Sequence, residues 1–173
     1  GRTGVPNAET AVELGKAVDE APGLDLRGVM IMPAPPTVRP FLREVLDAFD
    51  RAGLPHPMVS GGSTPSALTA HEIPELTEFR AGEYPVGGVK HLDIGTHTVA
   101  QCAGRVLPTV VSSPDNDRAV IDAGSKSLSA STSSINGQTV MGHVVEYPQA
   151  ILGGASEEHG QINVSACQHK PEI

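Results

Sequence analysis

Ser60-Gly61-Gly62-Ser63-Thr64-Pro65 is the stretch whose residue types are best suited to chemistry. Glycines let the backbone approach an anion closely, and hydroxyls donate to anionic oxygens. A helix begun near Pro65 would aim its first amides at the same place, a geometry that suits a phosphate. The same residues also suit an ordinary strand-to-helix turn, with Ser or Thr as N-cap and Pro at the first helical position. Arg2, between turn-forming residues, could hydrogen-bond an anionic ligand oxygen or lie on the surface. Arg80 and Tyr84 stand in TEFRAGEYPVGG, where a change of composition marks a junction and where ligand clefts often lie. A Tyr hydroxyl there could donate to a phosphate or a ring heteroatom, or the ring could pack between domains.

Glu157-Glu158-His159 sets two acids beside an imidazole, a grouping that could move protons or support a metal ligand. Adjacent residues on a strand point to opposite faces, so at most Glu157 and His159 would share one, and a hydrogen-bonded turn is the competing reading. Lys126 follows Asp122-Ala123-Gly124-Ser125, and a lysine in a Ser-rich loop is solvated, which argues against a Schiff-base role. The other histidines have neither HxH nor i, i+4 spacing, and Cys102 and Cys167 are too few and too distant for a zinc motif or a disulfide framework.

These residues need elements to hold them. Asn7 can cap a helix from Ala8 to about Glu20, ended by Pro22-Gly23. Leu24 to Met32 reads as a buried strand stopped by Pro33, and Val38 to Ala52 as a helix burying Phe41, Leu42, Val45, Leu46 and Phe49 before Gly53. Met58-Val59-Ser60 reads as a brief strand leading into the glycine turn. Helices alternating with strands predict parallel α/β units, as a barrel or an open sheet. From about Tyr84 the helical period disappears. Val106 to Val111, Ala119 to Asp122 and Val140 to Tyr147 then predict a mostly β part, with Ser125 to Ser134 as a loop. The predicted division is residues 1–83, α/β, and 84–173, β.

With 39% apolar and 18% charged residues, the chain is expected to fold, and with five Phe and Tyr and no Trp its core must be aliphatic. A formal charge of −8 without a Lys/Arg run argues against nucleic acid and anionic lipid as partners, and no apolar stretch approaches a membrane span. A cytoplasmic, reduced setting is the expectation. The start on Gly1-Arg2-Thr3-Gly4, without Met, reads as the middle of something larger.

Taken in order, GRTGV, VSGGSTP, TEFRAGEY, TVVSSPDNDRAVIDAGSKSLS and SEEHG resemble the D-threonine aldolases and D-serine dehydratases, enzymes with an alanine racemase-like fold. The resemblance implies the C-terminal part of a TIM-type barrel that binds pyridoxal 5'-phosphate (PLP), then a β domain incomplete at its C-terminus, in a homodimer. It implies that Gly61, Gly62, Ser63 and Thr64 hold the cofactor phosphate, that Arg2 approaches its phenolic oxygen, and that Tyr84 lies close to it. Glu157 and His159 are the candidates for the catalytic region. The PLP lysine of such enzymes precedes the GRTG turn, and their His-x-Cys or His-x-Asp metal segment follows SEEHG. Neither is expected within these 173 residues, so the chain alone is expected to be inactive. The intact protein would be a PLP-dependent lyase acting on D-β-hydroxy amino acids, with a divalent metal, Zn or Mn. A racemase on the same fold and a non-catalytic PLP-binding fragment are the alternatives. MIMPAPP departs from the loop of the better-known aldolases, which leaves the substrate open.

Overall fold

A computed structural model of the chain describes residues 3–135 and 137–169. The chain folds as two compact units, Gly1–Gly82 and Glu83–Ile173.

In the first unit, helix α1 (Ala8–Asp19) begins where the Asn7 side chain accepts the Thr10 N–H at 2.8 Å, satisfying a donor that the helix start leaves unpaired. Strand β1 (Gly28–Ile31) leads to a 3-10 turn, Pro36–Val38, and helix α2 (Arg39–Ala52), which Gly53 closes in the left-handed conformation. α2 turns Leu42, Val45 and Phe49 inward. The helices approach closely because Gly15 has no side chain: a Cβ there would lie 2.9 Å from Leu54 and 3.0 Å from Phe49. Strand β2 (Met58–Gly61) pairs in parallel with β1, Gly28 opposite Met58 through Ile31 opposite Gly61. A 3-10 helix, Thr64–Glu72, then leads to strand β3 (Glu78–Phe79), parallel to β2 with Ser60 opposite Glu78. The sheet order is β1-β2-β3. Two apolar clusters hold the unit, Ala8, Ala11, Leu26, Val45, Phe49 and Leu54 in one, Ala34, Leu42, Val59 and Ile73 in the other.

Two expectations change here. The strand predicted over 24–32 shortens to four residues, because its partner β2 is bounded by Pro57, which has no N–H for a ladder, and Pro33 follows on its own side. The helix expected near Pro65 is 3-10 rather than α. The Ser66 hydroxyl donates back to Ser63 O at 3.1 Å and the Thr69 hydroxyl to Ser66 O at 3.3 Å, and such bonds compete with the α pattern. Among the described residues the parallel strands form an open three-stranded sheet, one of the two arrangements that the alternation of helices and strands predicts.

The second unit opens with short helix α3 (Val89–Asp93) and a 3-10 turn, Val99–Gln101, so helical structure does not vanish after Tyr84. Strands β4 (Val110–Asp115) and β5 (Arg118–Ile121) follow, then the one-turn helix α4 (Ser125–Leu128) inside the predicted serine loop. Strands β6 (Ser133–Ile135) and β7 (Gln138–Val140) make a hairpin. Strands β8 (Gly142–His143), β9 (Ile151–Ala155) and β10 (Gly160–Asn163) complete an antiparallel sheet of order β4-β5-β10-β9-β8. Alternation turns Ala119 and Ile121 of β5, with Ile162 of β10, into a core shared with Leu152, Val164 and Cys167. The apolar run 106–111 becomes strand only at Val110; Leu107, beside Pro108, is 98% exposed. Among the described residues no helix is long and apolar enough to cross a membrane.

Candidate functional site

The glycine turn leaves β2 at the carboxyl ends of the parallel strands, the edge where ligands of parallel α/β sheets bind. Gly62 has φ 94°, and a Cβ there would lie 2.1 Å from the Phe79 ring. At Gly61 a Cβ would meet Leu76 at 2.6 Å and Ala34 at 3.3 Å. Both glycines make room for the side chains packed beneath the turn, and both are themselves buried. Ser63 is extended, its N–H donating to Ser66 Oγ at 3.3 Å while Ser66 N–H donates to Ser63 O at 3.0 Å. This reciprocal link fixes the Ser63 and Thr64 backbone at the helix start. Ser63 is half-buried and Thr64 buried.

Arg80 and Ser60 build the floor of this edge. Arg80 Nε donates to Ser60 Oγ at 2.9 Å, Nη2 donates to Ile31 O at 3.1 Å, and the Arg80 backbone N–H donates to Gly61 O at 2.9 Å. The Ser60 hydroxyl donates in turn to Glu78 Oε1. Ser60 and Glu78 are register partners, and Arg80 lies two residues on, so strand alternation brings all three to one face. Two glycines, two hydroxyls and a guanidinium at one strand edge can receive a cluster of anionic oxygens such as a phosphate. Glu78, and with it the link from Arg80 to Ser60, was missed from the sequence; the cue was the Glu-x-Arg alternation of residues 78–80.

An open groove of about 320 Å³ lies beside the turn, lined by Ala70, His71, Ile73, Leu76, Glu78 and Phe79 among others. Its wall is chiefly apolar and excludes the turn residues, so the candidate site is the turn itself, with its glycines and hydroxyls at the strand ends. Nearby, Arg39 Nε donates to both Glu75 oxygens, at 3.0 and 2.9 Å. Those hydrogen bonds hold the Glu75 carboxyl below its ordinary range, with the charges of Arg39 and Arg43 adding smaller attractions, and they raise Arg39 in return.

The remaining predicted residues lie elsewhere. Arg2 falls outside the described residues. Tyr84 belongs to the second unit, where its side chain is exposed and its carbonyl accepts from His97 Nε2 at 2.9 Å. Glu157, Glu158 and His159 form the turn between β9 and β10, closed by Ser156 N–H to His159 O at 2.8 Å and His159 N–H to Ser156 Oγ at 3.1 Å. All three are exposed, and Lys126 Nζ pairs with Glu158 at 2.6 Å and Glu157 at 3.6 Å. The hydrogen-bonded turn is therefore the geometry present. His91, predicted as an ordinary surface or structural histidine, is buried with its Nε2 3.3 Å from Glu83 and its ring edge-on to His97. Among the described residues no three His, Cys, Asp or Glu side chains form a group that could hold a metal ion.

Residues 103–173 match the family model described as "Putative serine dehydratase domain". D-threo-3-hydroxyaspartate dehydratase of Delftia sp. (strain HT23) is 35% identical over 127 residues, which make up 68% of this chain and 33% of that enzyme. Its solved structure superposes with a TM-score of 0.71 at 27% identity, covering 96% of this chain and 50% of that one. A variant of that enzyme has been solved in a metal-free form, with a TM-score of 0.70. D-threonine aldolase from Filomicrobium marinum gives a TM-score of 0.73 at 22% identity, over 99% of this chain and 49% of that one, a likeness of fold alone. An alanine racemase-like protein from Idiomarina loihiensis likewise shares the fold, with a TM-score of 0.69 at 20% identity, over 97% of this chain and 50% of that one. The chain spans about half the length of these solved relatives.

Proposed function

On its likeness to the D-serine dehydratases and D-threonine aldolases, we propose that this chain is part of a PLP-dependent lyase acting on D-β-hydroxy amino acids. The observation that carries the reading is the Gly61–Thr64 turn, held at the carboxyl ends of parallel strands with Arg80 behind it. In this reading Gly61, Gly62, Ser63 and Thr64 hold the phosphate at the carboxyl ends of the parallel strands, the hydroxyls of Ser63 and Thr64 serving as donors. PLP, when bound, supplies an electron sink for the pair released at the substrate Cα. The chain's share of the chemistry is to anchor and orient that cofactor so that the bond to be broken faces its ring.

In this reading residues 1–83 belong to a barrel and 84–173 to a β domain. Arg2 and Tyr84 approach the cofactor, and Glu157 and His159 lie toward the substrate. A divalent metal, Zn or Mn, orients the substrate hydroxyl; the solved metal-free form of the Delftia enzyme variant supports a metal in this group of proteins. A homodimer in a reducing cytoplasm belongs to the same reading.

The test is to incubate the full protein, with added PLP and metal, with D-threonine, D-serine and D-threo-3-hydroxyaspartate. Ammonia with a keto acid marks a dehydratase, and glycine with an aldehyde marks an aldolase. Exchange of enantiomers without either would replace the lyase by a racemase. Replacing Ser63 and Thr64 by Ala should weaken PLP retention, each lost charge-assisted hydrogen bond being worth roughly 1.5 to 3 kcal/mol. Unchanged retention in that double variant would remove the turn from the cofactor site.

A further inference from the structure

We propose that Arg80 is the positioning residue of the Gly61–Thr64 turn, setting both its geometry and its positive potential. This rests on the reading of the turn as a phosphate site and deepens it. Arg80 follows β3, yet its backbone holds Gly61 O while its side chain spans to Ser60 on β2 and Ile31 on β1. The ends of all three parallel strands are therefore tied through one residue. The direction of these bonds is fixed, because a guanidinium can only donate. Ser60 Oγ must accept from Arg80, so its single proton goes to Glu78, and the buried hydroxyl cannot rotate. The residue immediately before Gly61-Gly62 is thus locked in both backbone and side chain.

The charge of Arg80 is met across a shared hydroxyl rather than by a direct ion pair. Among the described residues no carboxylate forms an ion pair with it; Glu78 is engaged through the Ser60 hydroxyl instead. Nη1 has only the Met32 sulfur, 4.0 Å away, and a thioether is a weak acceptor. The Nη1 end of this half-buried guanidinium, remote from the Ser60 link, is the part that lends positive potential to the strand edge from which the turn departs. Lysine could supply the charge but not the planar fork that holds Ser60 and Ile31 together.

The experiment compares the affinity of PLP with that of pyridoxal, which lacks the phosphate, by ligand-fluorescence titration of the full protein and of Arg80→Gln, Arg80→Lys and Ser60→Ala, with thermal melts of each. The ratio of the two affinities isolates the phosphate contribution. Arg80→Gln should lower this ratio about tenfold, the scale of one charge-assisted hydrogen bond. Arg80→Lys should fall between it and the parent. Ser60→Ala should lower it severalfold with little change in melting, since Glu78 then competes directly for the guanidinium. A folded Arg80→Gln that keeps the parental ratio, or that loses PLP and pyridoxal equally, overturns the proposal. If Arg80→Gln does not fold, an unchanged ratio in Ser60→Ala overturns it instead. A parent protein that binds PLP and pyridoxal alike would sink the phosphate reading itself, an outcome distinct from a variant that fails to respond.

Discussion

Gly62 combines φ 94° with a Phe79 ring where its Cβ would be, and these two demands can be separated. Gly62→Ala should cost about 1–3 kcal/mol in urea unfolding, from the left-handed backbone and the clash together. Trimming the ring in a Gly62→Ala, Phe79→Leu double variant should remove only the clash, so a residual loss beyond that of Phe79→Leu alone measures the backbone share. At Lys126 the expectation is the reverse. Its pairs with Glu157 and Glu158 are exposed to solvent, so Lys126→Ala should change stability by less than about 1 kcal/mol, and chemical denaturation checks it. A larger loss would mean that this turn is braced more firmly than exposed ion pairs allow.

Between elements, the contact of α1 with α2 rests on Phe49, which lies against Gly15 and within the core. Phe49→Ala should destabilise the first unit by roughly 3–5 kcal/mol, read from its melting transition. The pairing of Arg39, at the start of α2, with Glu75, beyond the 3-10 helix, carries a pH dependence. The folded Glu75 carboxyl lies below its ordinary value of 4.5, so the unfolded chain binds that proton more readily. The stabilisation is complete above that value and is lost as acid protonates the folded carboxyl. Glu75→Gln should therefore be less stable than the parent near neutrality and converge with it as the pH falls and the folded carboxyl takes up its proton. Local chemistry made some elements legible in the sequence: the Asn7 cap, the Gly53 stop and the apolar face of α2 are each written within one or two turns. The length of β1 was not, since it depends on where the partner strand can donate. Nor was the link from Arg80 to Ile31, 49 residues away, which exists only once three strands are in register.

At the scale of the whole molecule each unit has its own core, so Phe49→Ala and Ile162→Ala should each lose most hydrogen-exchange protection within its own unit. A uniform loss across both would show that they open as one. The resemblance carried by the ordered motifs is borne out by the match over 103–173 and by the dehydratase relative, and the mixed α/β architecture by its structural neighbours. Closure into a barrel was not legible, because closure is a property of all the strands of a sheet and the described residues show three parallel ones. β1 stands at the outside of those three, with Met30 74% exposed. A row of amides and carbonyls beside a bare apolar side chain is a template on which foreign chains can nucleate. If these 173 residues are expressed by themselves, clumping that grows with concentration is the expected hazard, and a charge introduced by Met30→Lys should delay the onset of light scattering.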